Sequence, residues 1–196
     1  MKTPLHFLFA ASLGLSAAPL RAADPVVPVP AIPGVAASSV YQLRVNGQEV
    51  AVNDESRFDF HTAAFCMAGT ADVEIRVPGG SGTPVIRPLR HPIAPEFKDG
   101  VLSFSIRAPL KLVVEVAGQL PLALLATPLE SGVPEPSAPN VLYFGPGIHE
   151  AGVIRPRTGE VIYLAPGALV RGRIEAKGVK DVAVKGRGIL DAGNYS

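Results

Sequence analysis

Paired carboxylates, a histidine beside a glutamate, a set of arginines and one thiol are the groups in this chain that could do chemistry. Asp54-Glu55 could serve as an acid and a base, but the pair falls in a turn between two β-rich runs, where a solvated loop is expected. His149-Glu150 follows a glycine corner. One His with one Glu completes neither a catalytic triad nor a metal site, so a surface pair where a coil meets a loop is expected. Asp191 closes an apolar run and is expected to bond local backbone amides. Arg155, Arg157, Arg171 and Arg173 could meet an acidic sugar, yet the near-neutral chain suits solvated ladder residues better. His61 and His91 stand alone. Cys66 lies in the apolar run Ala63–Ala68 and reads as a small buried residue rather than a nucleophile. Gly79-Gly80-Ser81-Gly82 has no following Lys-Ser/Thr or helix, so it is no phosphate loop. The sequence therefore assigns no catalytic residue, no metal ligand and no cofactor, and it leaves substrate-binding residues open.

The elements that must position these groups are strands. The chain holds 20 Gly and 20 Pro among 196 residues, and these punctuate short runs rich in Val, Ile and Leu. Periodic helix formers are almost absent, which predicts an all-β fold. Residues 40–128 read as a β-sandwich of about seven short strands. These are expected near 40–45, 49–52, 57–60, 72–77, 85–89, 101–106 and 111–116. Asn46-Gly47 between two alternating runs is a strong hairpin signal, because a type I′ turn needs positive φ at both central positions. Leu102, Phe104 and Ile106 share one face, and Ser103 and Ser105 the other. Proline-marked linkers are expected at 23–39 and 129–139; in the first, repeated prolines favour polyproline II over any ladder.

From residue 140 to 196 a motif returns three times: Tyr143-Phe-Gly-Pro-Gly-Ile148, Tyr163-Leu-Ala-Pro-Gly-Ala168 and Val184-Lys-Gly-Arg-Gly-Ile189. Its glycines Gly147, Gly167 and Gly188 stand 20 and 21 residues apart. That period predicts a solenoid whose coils each give a strand (141–143, 161–163, 182–184), a tight corner and a second apolar run (152–154, 168–170, 188–190). Alternate residues stack inside, and three coils barely bury that inner face. The last coil, left uncapped, is expected to continue in a longer protein.

The N-terminus reads as a secretory signal peptide over residues 1–22, with Lys2 before the apolar stretch Leu5–Leu15 and small residues near Ala22. Its removal takes the formal charge from +1 to −1, since Lys2 and Arg21 leave with it. Such a charge gives no reason to expect nucleic acid or an anionic membrane as partner, and no apolar stretch remains that could span a bilayer. A secreted or periplasmic monomer is expected. With a single cysteine, it must be stable without an internal disulfide.

The stretches Val141–His149, Gly159–Gly172 and Val182–Asp191 resemble the opening coils of pectin-lyase-like right-handed β-helix glycoside hydrolases. The dextranase and isopullulanase family (family 49) and the polygalacturonase family (family 28) are the nearest in kind. The dextranase-like resemblance implies an immunoglobulin-like sandwich ahead of a right-handed parallel β-helix. It also implies inverting hydrolysis of a polysaccharide by aspartates on a groove along the helix. Inversion needs a general acid, a general base and room for a water between them. The polygalacturonase segments Asn-Thr-Asp, Asp-Asp, Gly-His-Gly and Arg-Ile-Lys do not occur here, so no catalytic role carries over to any residue, and the chain itself is expected to be inactive. Two other readings stand beside this one. An exported carbohydrate-binding or adhesion sandwich would use exposed aromatics, but the chain has no Trp and four Tyr, of which Tyr143 and Tyr163 fall in the solenoid pattern. A β-helix polysaccharide lyase would need calcium-binding acidic residues, and no such cluster is visible.

Overall fold

The computed structural model describes residues 24–195. The signal peptide expected over 1–22 lies outside the described residues. The strands of the first region are β1 (Val26–Pro28), β2 (Gln42–Val45), β3 (Gln48–Val50), β4 (Val52–Glu55), β5 (Phe60–Met67), β6 (Ala71–Arg76), β7 (Ser81–Arg87), β8 (Glu96–Lys98), β9 (Val101–Ile106), β10 (Lys111–Ala117) and β11 (Leu122–Pro128). They form two sheets, one in the order β1-β5-β11-β10-β7 with β4 also on β5, the other β3-β2-β6-β9-β8. Inward side chains of both sheets share one core, including Val45, Ile75 and Leu102 from one and Phe65, Leu112 and Leu124 from the other. The alternation that puts Leu102, Phe104 and Ile106 inside follows from the two-residue period of a strand. Burying one such side chain stabilises the fold by about 1.5–3 kcal/mol.

Local chemistry sets several turns. Asn46 (φ 48°) and Gly47 (φ 77°) close the β2–β3 hairpin, as the type I′ geometry demands. At Ala51 the chain leaves one sheet for the other, because β3 pairs with β2 whereas β4 pairs with β5. The strand expected at 57–60 is a 3-10 turn over Ser56–Phe58, ended by Asp59 in the left-handed region, and the true strand starts at Phe60. Asp54 and Glu55 thus lie in β4, not in a turn.

The expectation that residues 23–39 avoid any ladder is corrected over Val26–Pro28. This segment pairs antiparallel with Phe65–Met67, and Val26 enters the core. Proline is tolerated there because an edge strand needs only one row of donors. Further along, the Ile32 amide donates to Asn53 Oδ1 and the Asp54 amide to the Ala36 carbonyl.

The second region is a right-handed parallel β-helix of three coils. Its strands are β12 (Val141–Phe144), β13 (Gly147–Ile154), β14 (Val161–Leu164), β15 (Ala168–Ile174), β16 (Ala183–Gly186) and β17 (Ile189–Asp191). They stack as two parallel sheets, β12-β14-β16 and β13-β15-β17. Ile162, Leu164, Ala168, Val170 and Ile154 form its core, with Leu142, Phe144 and Leu190 packed against them. The repeat is less regular than the motif suggests. Gly147 stands opposite Ala168, not Gly167, although its amide donates to the Gly167 carbonyl at 2.9 Å. Likewise Gly152–Ile154 stack on Gly172–Ile174, and the partners of Leu169-Val170 are Ile148-His149. Corner loops of unequal length, two residues after β12 and three after β14, set a spacing of 21, and a bulge at Ala151 returns it to 20 from Gly152 onward. At Gly186 (φ 112°) a Cβ would strike the Leu164 carbonyl oxygen, so only glycine lets the third coil approach the second. The row Leu142–Ile162–Val184 runs along the interior, and its last member is 53% exposed.

Candidate functional site

The outer face of β13-β15-β17 carries the charged groups of the solenoid. Glu150, Arg171 and Asp191 stand in register on successive strands. Glu150 Oε1 accepts from Arg171 Nη1 at 2.7 Å, and the two carboxylates hold the guanidinium above its ordinary pKa, Glu150 chiefly by this hydrogen bond. Asp191 Oδ1 accepts from the Gly193 amide at 3.0 Å, a local backbone role. Two strand spacings put Glu150 and Asp191 roughly 9–10 Å apart. An inverting acid and base need a water between them, and here a guanidinium stands in that place. The row holds one ion pair, Glu150 with Arg171, and a locally bonded Asp191, rather than an acid-base pair.

Arg173 and Arg155 converge on one carboxylate. Glu175 Oε1 accepts from Arg173 Nη2 at 2.7 Å, and its Oε2 lies 3.2 Å from Arg155 Nη2. The Arg157 amide donates to Glu160 Oε2. Arg155, Arg171 and Arg173 are therefore paired within the protein, not bare cations awaiting an acidic ligand. Glu175 escaped the sequence reading, although its place two residues past Arg173 puts both on one side of the chain.

His149 and Glu150 do not act together. His149 shares the inward row of Val170 and Leu190, while Glu150 points out. This corrects the expected surface pair. The His149 ring lies 5.4 Å from Phe144, edge to face, and its Nε2 is 2.7 Å from the Gly145 carbonyl oxygen. It covers the end of the core at the first coil. Tyr143 and Tyr163 lie on the face opposite the interior row and stack at 5.2 Å. Tyr163 is 2% exposed and shares a cleft with Leu129–Gly132. Burial, then the nearby Glu130 carboxylate, pushes the Tyr163 phenol up to about 12. Arg187 Nη2 donates to the Pro128 carbonyl at 3.3 Å. These contacts pin the segment after β11 to the solenoid. No local pattern marks Glu130, since Tyr163, which it approaches, is 33 residues away in sequence.

In the sandwich, His61 is not alone. It is 3% exposed, opposes Asp54 across β4 and β5, and has Nδ1 3.8 Å from Asp54 Oδ1. Tyr41 lies edge-on to it at 5.3 Å, and the Tyr41 hydroxyl donates to the Leu120 carbonyl at 2.7 Å. The nearby Ser38 hydroxyl accepts from the Val40 and Tyr41 amides. With no activated nucleophile, the cluster is a polar seam of the core. Cys66 is buried, with Sγ 3.4 Å from Thr127 Oγ1. Among the described residues no three His, Cys, Asp or Glu side chains are placed to hold a metal ion, and no helix is long and apolar enough to cross a membrane.

The chain matches no family profile and no curated protein. Among solved structures it is similar to Dex49A from Penicillium minioluteum, with a TM-score of 0.61 and 19% identity. The likeness covers 86% of this chain and 48% of Dex49A, so the chain spans about half the length of that structure. At this identity the likeness establishes a shared fold.

Proposed function

We propose that this chain is the N-terminal portion of an exported, polysaccharide-degrading glycoside hydrolase, of the kind to which the dextranase and isopullulanase family or the polygalacturonase family belongs. The observation that carries this reading is the likeness to Dex49A, which extends over 86% of the chain and so takes in both the sandwich and the coils. The sandwich is the immunoglobulin-like domain of that architecture, residues 1–22 are the export signal, and the protein acts as a monomer. Hydrolysis belongs to the part of such a protein that this chain does not span, since the likeness covers 48% of Dex49A. The ion-paired carboxylates of the first three coils take no part in it. Function on a shared fold resides in the site, so the test is chemical. The chain alone should release no reducing sugar from dextran, pullulan or polygalacturonate. A version extended by its downstream coding sequence should release it from one of them, with inversion at the anomeric carbon followed by NMR. Release by the chain alone, or none by the extended protein, would overturn the reading.

A further inference from the structure

The sheet β3-β2-β6-β9-β8 turns its apolar side to the core and a charged side outward. Glu49, Arg44 and Glu74 stand in register across β3, β2 and β6, and Gln42 opposes Arg76 two residues along. All five are exposed. They line a groove of about 660 Å³ bordered by Ser38, a volume within the range of sites that take small ligands. Arg44 Nη2 lies 3.0 Å from Glu49 Oε1, while Glu74 and Arg76 form no ion pair among the described residues.

The composition of the groove selects a ligand chemistry. Two guanidinium groups and two carboxylates cancel, so the field attracts no polyanion. Tyr41 reaches the lining, but its ring is buried against His61 and its hydroxyl is engaged, so no aromatic face is offered for stacking. What remains is an alternation of donors (Arg44, Arg76), acceptors (Glu49, Glu74) and the amide of Gln42, which is both. A neutral molecule dense in hydroxyls satisfies that alternation, because each hydroxyl donates to a carboxylate and accepts from a guanidinium.

We propose that this groove binds a short stretch of a neutral polysaccharide, held by hydroxyl hydrogen bonds to Glu74 and Arg76. The inference rests on the reading of the protein as one that acts on polysaccharide, but it concerns the sandwich rather than the coils. Native gels cast with dextran, pullulan or polygalacturonate test it. The chain should be retarded by a neutral glucan and not by polygalacturonate. A Glu74→Ala/Arg76→Ala variant should bind about tenfold more weakly, the loss of one or two ordinary hydrogen bonds. Arg155→Ala/Arg171→Ala on the solenoid should leave the retardation unchanged. Gln42→Ala supplies a milder second variant, and circular dichroism checks that each retains its fold. No retardation by either neutral glucan, equal retardation of the groove variant, or retardation by polygalacturonate alone would overturn the proposal. Because the gel reads binding without hydrolysis, its failure leaves the reducing-sugar test standing, and the converse holds.

Discussion

The sandwich and the solenoid are both built of short strands, yet they solve the burial problem differently. The sandwich closes two mainly antiparallel sheets over a core of 23 buried apolar residues, whereas the solenoid core gathers five and leaves Val184 open. A closed core is stable by itself, but a coil depends on its neighbours for the other half of every inner contact. The difference teaches where stability and where extension reside. The first region is an anchor, and the second is a stack that gains from each added turn.

The largest test of this contrast removes a core ring. Phe65→Ala should cost about 3–5 kcal/mol, measured by chemical denaturation, and unfold the sandwich cooperatively. Ile162→Ala, at about 2–5 kcal/mol, should instead release amide protection in residues 141–191 while the sandwich keeps its own. Equal loss of protection in both regions would break the comparison and make the chain one cooperative unit. A smaller effect sharpens how the two are joined. Arg187→Ala deletes the guanidinium that donates to the Pro128 carbonyl and should cost about 1 kcal/mol, seen as faster exchange over residues 128–132. Unchanged exchange there would remove this bond from the junction.

The smallest effect concerns acid. Hydrogen bonds from Ser56, first, and the nearby His61 hold the Asp54 carboxyl below its ordinary pKa. A lowered folded pKa stabilises the protein above the unfolded value, about 3.9, and that contribution is lost as pH falls through the folded value. Asp54→Asn should therefore lower Tm slightly at neutral pH, where the carboxylate is ionised, and flatten its acid slope below about pH 4. An identical slope in both proteins would exclude Asp54 as a contributor.

Turns and alternation were the legible part of the sequence. Asn46-Gly47 closes its hairpin because its local conformation is chosen by the residues themselves. β5 and β11 were not legible as strands. Ala63, Ala64, Ala123 and Ala126 blur the in-out alternation, and the pairing of the two is a tertiary fact. The solenoid was visible as a period, but its register was not, since unequal corners shift the stack while glycines keep the spacing. On the charged face, residue types were readable and partners were not. Arg171 finds Glu150 one coil away, and Glu175 draws Arg155 and Arg173 together across a loop.

The parallel pairing of β5 with β11 has a consequence for the order of folding. His61 meets Leu122, residues 61 positions apart, whereas Val141 meets Val161 after only 20. Distant pairings form slowly because a long loop must close before any contact rewards it. A chain made from its N-terminus cannot shut the sandwich until β11 has emerged, while the coils behind it can add one after another at short range. The slow step comes first, and the quick steps build on it.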